Sequence, residues 1–499
     1  MTPAEEEGPA EAGLPRLIAD RRAKAEALRV RGVDPYPAAF PDRTTAAEAR
    51  AAGEHLEPGT SGEGSVRVAG RLVARRSQGR MAFCDLEDAT GRVQLWARRD
   101  QLGEAGMDAL EQWDLGDLVG AEGPVVRTRR GELSVDLRSA LLLAKALRPP
   151  PDKHGGLRDP ETRHRQRYLE LMADAETRAA FVVRARAIAA IRRFLDDRGF
   201  IEVETPTLQP IYGGAEARPF VTHHNELERD LFLRIAPELY LKRCVVGGLE
   251  RVYELGKNFR NEGVSFKHNP EFTSLETYEA YADYRDVAGM LETMVAAAAL
   301  AATGSATVRL GEASIDLAPP WRRLDLRDAL AEASGVDVRR HTEADALRAA
   351  MRERGYDAPD DTPWAKLVDG LLGQSLEPSL VQPTFLLDYP IELSPFAKRR
   401  PDDPGVVERF EAFAGGMEIA NAFTELNDPD DQRARFAAVA AAREAGDQEA
   451  PPADEDFLAA LEYGMPPTGG LGVGVDRLVM LLTGRPSIRE VILFPATRS

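Results

Sequence analysis

The sequence predicts an α+β protein: a small N-terminal β-barrel of the OB-fold type, then a larger unit with an antiparallel β-sheet flanked by helices. Three observations predict this. From Val66 to Leu147 short runs of alternating polarity, such as 66–73, 81–86 and 92–96, are separated by turns, with Gly91 and Gly123 where turns are needed. After the linker Pro149-Pro150-Pro151 the pattern changes to long helices mixed with strands. Neither an internal repeat nor a parallel βαβ rhythm is visible, so an antiparallel sheet with packed helices is expected over a doubly wound one.

Each element follows in order. A chain of 499 residues exceeds one core, and 43% hydrophobic with 29% charged residues is ordinary for a soluble globular enzyme. Residues 1–64 are expected to hold a tail and a basic helix, 65–150 the barrel and 160–499 the larger unit. Residues 1–15 read as a disordered tail. Residues 16–31, with Arg16, Arg21, Arg22, Lys24, Arg29 and Arg31, read as the basic helix. Residues 32–64 carry Pro35, Pro37, Pro41 and Pro58 and read as irregular connection. Farther on, Phe181, Ile188, Ile191 and Leu195 form one apolar helical stripe, followed by a strand signal at 201–204 that stops at Pro206.

Composition restricts the function classes. Two cysteines, Cys84 and Cys244, build neither a zinc site nor a disulfide framework, which fits a reducing compartment. The acidic N-terminus has no apolar signal region, and no apolar run approaches the roughly 18 residues of a membrane span. The apolar run 295–302 reads as a buried helix, and a cytoplasmic protein without membrane contact is expected. The net charge of −18 taken alone argues against nucleic acid. It is unevenly spread, however. Residues 65–148 hold 14 Arg/Lys against 12 Asp/Glu, whereas 401–460 hold 15 acids against 4 bases. The first region suits phosphates, and the second suits a cation or a metal.

Three segments stand out. The first is Phe194 to Phe220, ending Gly213-Gly214-Ala215-Glu216-Ala217-Arg218-Pro219-Phe220. The second is Arg251 to Tyr281, with Asn258-Phe259-Arg260-Asn261-Glu262-Gly263 and His268-Asn269-Pro270-Glu271-Phe272-Thr273. The third is Gly469 to Gly484, with Gly470-Leu471-Gly472-Val473-Gly474-Val475-Asp476-Arg477. The last is neither a phosphate-binding P-loop nor a dinucleotide fingerprint. In this order and spacing the set resembles motifs 1, 2 and 3 of class II aminoacyl-tRNA synthetases, lysyl-tRNA synthetases in particular. Ala236 to Arg243 and Glu418 to Asp428 resemble that family too, and the resemblance runs from about residue 65 to 499.

The resemblance implies a class II synthetase catalytic domain behind an anticodon-binding OB-fold, with lysine, ATP, Mg²⁺ and tRNA(Lys) as substrates and a homodimer built on motif 1. Arg260 and Arg477 would be the catalytic cations, on the α- and γ-phosphates. Glu262, His268, Asn269 and Phe272 would complete the ATP site, with Phe272 stacked on adenine. Glu411 and Glu418 would hold Mg²⁺, and Gly415-Gly416 permits the turn between them. Gly214, Glu238, Glu276, Tyr278, Asn421, Phe423 and Glu425 would form the lysine pocket. Phe83 and Gln94 would read the anticodon.

The residues themselves add to this. Strand alternation puts Phe272, Ser274, Glu276 and Tyr278 on one face and Leu275 on the other. An aromatic, an acid and a phenol in line are odd for packing and reasonable for a ligand floor. Asn421, Phe423 and Glu425 share a face likewise, and Glu418 joins them only through a bulge. Ala420 and Ala422 stand where some family members carry glycine, which is expected to narrow the lysine pocket. Specificity for aspartate or asparagine, and a non-catalytic RNA-binding paralogue, are the alternatives. The acid cluster argues against the first, and the presence of both arginines and the glutamates against the second.

Overall fold

The computed structural model describes residues 13–151, 157, 159–444 and 451–497. The expected tail therefore lies largely outside the described residues. The chain divides into two compact units, 1–156 and 157–499, each treated by itself.

In the first unit, α1 (Leu14–Val30) carries the basic residues. The stretch expected to be irregular contains a helix, α2 (Ala46–Gly53). Its N-cap Thr45 accepts from the Glu48 backbone while the Glu48 carboxylate accepts from the Thr45 N–H, a reciprocal capping box that outweighs the surrounding prolines. The strands are β1 (Val66–Gln78), β2 (Met81–Asp88), β3 (Gly91–Arg98), β4 (Leu118–Gly123), β5 (Val125–Arg127), β6 (Leu133–Asp136) and β7 (Ser139–Ala144). A helix, α3 (Arg99–Glu111), interrupts them after β3, so the unit is not all-β as read.

The ladder order is β5-β6-β3-β2-β1-β4-β7, an open order rather than the closed ring expected. The run β4–β5 breaks at Pro124, which has no N–H to donate. Across the break, Asp136 N donates to Pro124 O at 2.9 Å and Arg138 N to Glu122 O at 2.8 Å. Gly123 serves this close approach rather than a turn, since a Cβ there would lie 2.0 Å from the Asp136 carbonyl oxygen. The inner faces bury Leu72, Cys84, Leu86, Val93, Leu95, Val119 and Val135.

The second unit is built on an eight-stranded sheet. In chain order its strands are β8 (Ile201–Glu202), β12 (Arg251–Phe259), β13 (Glu271–Ala280), β16 (Arg322–Asp325), β17 (Thr384–Pro390), β18 (Val406–Ala414), β19 (Met417–Thr424) and β20 (Thr468–Gly474). Between them, β9 (Leu208–Gln209), β10 (Val221–His224) and β11 (Arg229–Leu233) form a three-stranded sheet, and β14 (Thr307–Leu310) with β15 (Ala313–Asp316) a hairpin. The large sheet runs β16-β17-β18-β19-β20-β13-β12-β8 and is antiparallel except where β8 meets β12 and β16 meets β17.

Helices α4 (Ala175–Asp196) and α6 (Tyr284–Thr303), with the helix Val475–Thr483 (α7), cover one face of the sheet; α5 (Glu238–Val246) lies between β11 and β12 in the chain. Their apolar stripes meet Leu275, Phe385, Phe410, Ala420 and Ala422 in one core. By length and composition α6 alone among the described helices is apolar enough to cross a membrane, and it is packed into this core as expected for 295–302.

Candidate functional site

The other face of the sheet carries a cavity of about 710 Å³, well within the range of small-molecule sites. All the residues of the second unit named from the sequence for ATP, lysine and Mg²⁺ line it, from Gly214 to Arg477. Three adjacent strands make its floor. Ser274, Glu276 and Tyr278 on β13 lie opposite Gly474, Gly472 and Gly470 on β20, whose glycines in turn face Asn421 and Phe423 on β19. The alternate glycines remove side chains from the middle strand and leave the space between its neighbours open. Leu275 points into the core, as alternation requires.

The hairpin β18–β19 turns at Gly415 and Gly416, both left-handed at φ +64° and +71°. Its register pairs Ala412 with Ala420 but Phe413 with Glu418, so Ile419 is an extra residue in β19. This bulge brings Glu418 onto the cavity face with Asn421. It also corrects one expectation: Ala420 and Ala422 point into the core at 2% and 0% exposure and do not narrow the lysine pocket.

At one end the cavity is acidic. Glu238, Glu276 and Glu425 are all buried, the last at 1% exposure. Tyr278 donates its hydroxyl to Glu276 Oε2 at 3.1 Å. Burial, reinforced by the nearby Glu238 charge, pushes the Glu276 carboxyl up to about 8. The Glu425 carboxylate is buried with no hydrogen bond to either oxygen; Oε2 is in ion-pair contact with Lys242, which leaves Oε1 over. It rests against Gly470, where a Cβ would stand 1.7 Å away. Gly214, at φ +83°, leaves the same kind of room for Glu238, whose Cβ would lie 2.8 Å from an added methyl.

At the other end the cavity is cationic. The Arg260 guanidinium lies 5.1 Å from the Phe272 ring centroid, and its buried Nε has no partner. Arg477, in the first turn of α7, donates to Glu418 Oε2 at 2.8 Å and lies 3.3 Å from His268 Nε2. Burial, with Arg477 beside it, lowers His268 to about 4, so its ring is neutral. Asn269 has both ends of its amide engaged, donating to Glu271 O and accepting from Ala496 N. Glu262 is exposed at the rim.

Among the described residues no group of three or more His, Cys, Asp or Glu is placed to hold a metal. Glu411 and Glu418 nevertheless form a pair of hard oxygen donors on one wall. Burial raises the Glu411 carboxyl, and Glu418 adds to the rise. Burial raises Glu418 also, but Arg477 together with Arg409 and Arg260 more than offsets it and holds that group below the ordinary range. Two carboxylates fit a Mg²⁺ whose remaining ligands are phosphate oxygens and water.

In the first unit, Phe83 and Gln94 lie on the outer face of β2 and β3, half-exposed, opposite the buried Ala82, Cys84, Val93 and Leu95. The Phe83 ring is nearly parallel to Trp96, with centroids 6.1 Å apart and planes 7° apart. The Ser134 hydroxyl donates to Gln94 Oε1 at 2.9 Å. Of the arginines on or near the first turn, Arg71 and Arg75 donate to main-chain carbonyls and Arg76 is 66% exposed.

Several lining residues escaped the sequence reading. Arg409 joins Glu411, Asn421 Oδ1 (2.9 Å) and Ser394 Oγ (2.7 Å), and Tyr389 donates to Glu411 Oε2 at 2.9 Å. Arg409 shares a strand face with Glu411, so period-two reading of 409–411 would have found it. Lys366 and Asp369 come from the helix Trp364–Ser375 (364–375), and no local pattern marks them as site residues. Lys242 lies behind Glu238 one helical turn on, the i,i+4 spacing of an ion pair.

Residues 159–498 match the family described as tRNA synthetases class II (D, K and N), and residues 66–143 match the OB-fold nucleic acid binding domain. The chain is 54% identical to a lysine–tRNA ligase of Roseiflexus castenholzii over 97% of this chain and 99% of that protein. It is 50% identical to one of Dehalococcoides mccartyi over 97% of each chain, and 49% identical to one of Bacillus subtilis over 96% of each.

Proposed function

The chain belongs to the class II lysyl-tRNA synthetases, and we propose that its cavity activates lysine with ATP at the sheet floor described above. It is an ATP-dependent ligase that charges tRNA(Lys) with lysine. The readings for aspartate, for asparagine and for a non-catalytic paralogue are not favoured. The observation that carries the site assignment is the acid end: three buried carboxyls face a single buried ammonium among the described residues, that of Lys242, and so leave room for a further cation. A buried charge without a partner is costly, so a lysine ε-ammonium is the complement this end calls for.

The chemistry divides along the cavity. Glu238, Glu276 and Glu425 hold the ε-ammonium, with Tyr278 fixing Glu276. This directs the lysine carboxylate toward the α-phosphorus of ATP. Phe272 offers its ring to adenine. Arg260 and Arg477 neutralise charge on the phosphates, and neutral His268 hydrogen-bonds without adding charge. Glu411 and Glu418 would hold Mg²⁺, which when bound shields the phosphate charge. Attack gives lysyl-adenylate and pyrophosphate, and a terminal ribose hydroxyl of tRNA then takes the lysyl group. No side-chain nucleophile is needed; positioning and charge neutralisation carry the rate.

The same reading includes a homodimer and a cytoplasmic location. Leu208, Ile211 and Val221, on or beside the three-stranded sheet, are 47%, 37% and 61% exposed, which supports a second copy covering them. The test of the pocket is ATP–pyrophosphate exchange across all amino acids. Exchange that depends on lysine and Mg²⁺ is expected. Exchange driven by aspartate or asparagine would overturn the assignment.

A further inference from the structure

The acid end of the cavity contains a cation of its own. Lys242 Nζ lies 2.6 Å from Glu238 Oε1 and in contact with Glu425 Oε2, and its side chain is fully buried. Glu238 and Glu425 line the cavity, whereas Lys242 does not. The ammonium therefore meets the two carboxylates from behind the cavity wall. It is enclosed there by the rings of Phe396, Phe423 and Phe457, at 5.1, 5.5 and 5.9 Å from their centroids. A cation among aromatic faces is stabilised by their quadrupoles and hidden from water.

The two carboxylates come from unrelated places, Glu238 from the first turn of α5 and Glu425 from the end of β19. Left alone they would repel each other, and one of them would take up a proton. One ammonium touching both removes that repulsion. We propose that Lys242 is a positioning residue of the lysine pocket: it holds Glu238 and Glu425 together from behind and cancels one of their charges, so that the cavity is left short of one cation. The inference rests on the reading of this end as the lysine pocket. Neither Glu425 oxygen has a hydrogen-bond partner; Oε2 is in ion-pair contact with Lys242, whereas Oε1 lies against the cavity-lining Gly470. Burial pulls the Lys242 ammonium toward losing its proton, but the two carboxylates more than offset this and keep it charged.

The experiment uses the full-length protein and ATP–pyrophosphate exchange. Lys242→Met keeps the length of the side chain and removes the charge. The expected result is a KM for lysine raised about tenfold or more, the scale of one charge-assisted contact, with the KM for ATP close to the parent's. Calorimetry of lysine binding in two buffers should also show more protons released than in the parent. Burial already raises both carboxyls in the presence of Lys242, and without its charge a larger share of them would carry a proton that binding must release. A parental lysine KM and proton count, or equal losses for lysine and ATP, would overturn the proposal. Lys242→Gln is the second variant should Lys242→Met not fold, and failure of both to fold also overturns it, since the ammonium would then serve stability alone. Glu425→Gln separates the two levels of inference. If it raises the lysine KM while Lys242→Met does not, only the role of Lys242 fails; if neither has an effect, the pocket reading fails with it.

Discussion

Glu276 shows how one buried carboxyl couples ligand charge to pH. In the ligand-free site burial and the neighbouring Glu238 push it up to about 8, so near neutrality it carries a proton. A bound ε-ammonium favours the ionised form and draws the value down toward that of an ordinary glutamate, about 4.3. The sign follows. Binding must release a proton at any pH between those two values. Lysine affinity therefore rises with pH through that window and levels off above about 8. Calorimetry at pH 7 in two buffers of different ionisation enthalpy should give different apparent heats, and the difference should shrink in Glu276→Gln. That variant should also raise the KM for lysine while leaving the KM for ATP unchanged. Identical heats in both buffers for the parent protein would sink the assignment.

At the scale of elements, the middle strand of the floor is decided by what stands on either side of it. Gly470 is glycine because Glu425 Oε1 occupies the place of its Cβ, whereas Gly472 has no atom nearer than 3.7 Å. Gly470→Ala should therefore push Glu425 out of the acid cluster. The expected effect in pyrophosphate exchange is a lysine KM raised about tenfold or more with the ATP KM unchanged, as for a lost charged contact. A parental lysine KM would mean that Glu425 retracts at no cost. Much of this floor was legible because strand alternation is a local rule: 272–278 and 421–425 could be assigned faces from spacing alone. The bulge at Ile419 follows from the parity of Glu418, whereas the expectation that Ala420 and Ala422 narrow the pocket ran against their alternation with Asn421 and Phe423. Lys242 was present in a quoted motif, yet its contact with Glu425 joins elements far apart in the chain, and only the fold reveals it. Helix α2 is hidden in the sequence for a different reason: four prolines in 32–64 signal irregular chain, and only the capping box at Thr45 and Glu48 marks its start. The break at Pro124 was missed because the pairing it interrupts depends on the neighbouring strand.

Across the whole molecule, the proposed chemistry lies in the second unit and the proposed anticodon contacts in the first, and this makes recognition testable apart from chemistry. The outer face of β2 and β3 offers Phe83, nearly parallel to Trp96, with Gln94 held by Ser134. A Phe in a small barrel is usually core, but here the core side of the strand is taken by Ala82 and Cys84 and Phe83 stays half-exposed. A ring beside an oriented amide suits an unstacked base, which stacks on the one and is read at its edge by the other. Stacking of this kind is worth about 1–3 kcal/mol per base by alanine substitution, or roughly fivefold to 150-fold in affinity. Phe83→Ala should therefore raise the KM for tRNA within that range, and Gln94→Ala should raise it as well. Because the cavity proposed for adenylate formation is lined wholly by the second unit, exchange without tRNA should keep its parental rate in both variants. Charging should weaken with added salt as Lys/Arg–phosphate contacts give way to counterions. Parental tRNA KM values in both variants would place anticodon recognition elsewhere, and a simultaneous loss of exchange would show that Phe83 supports the fold rather than the base.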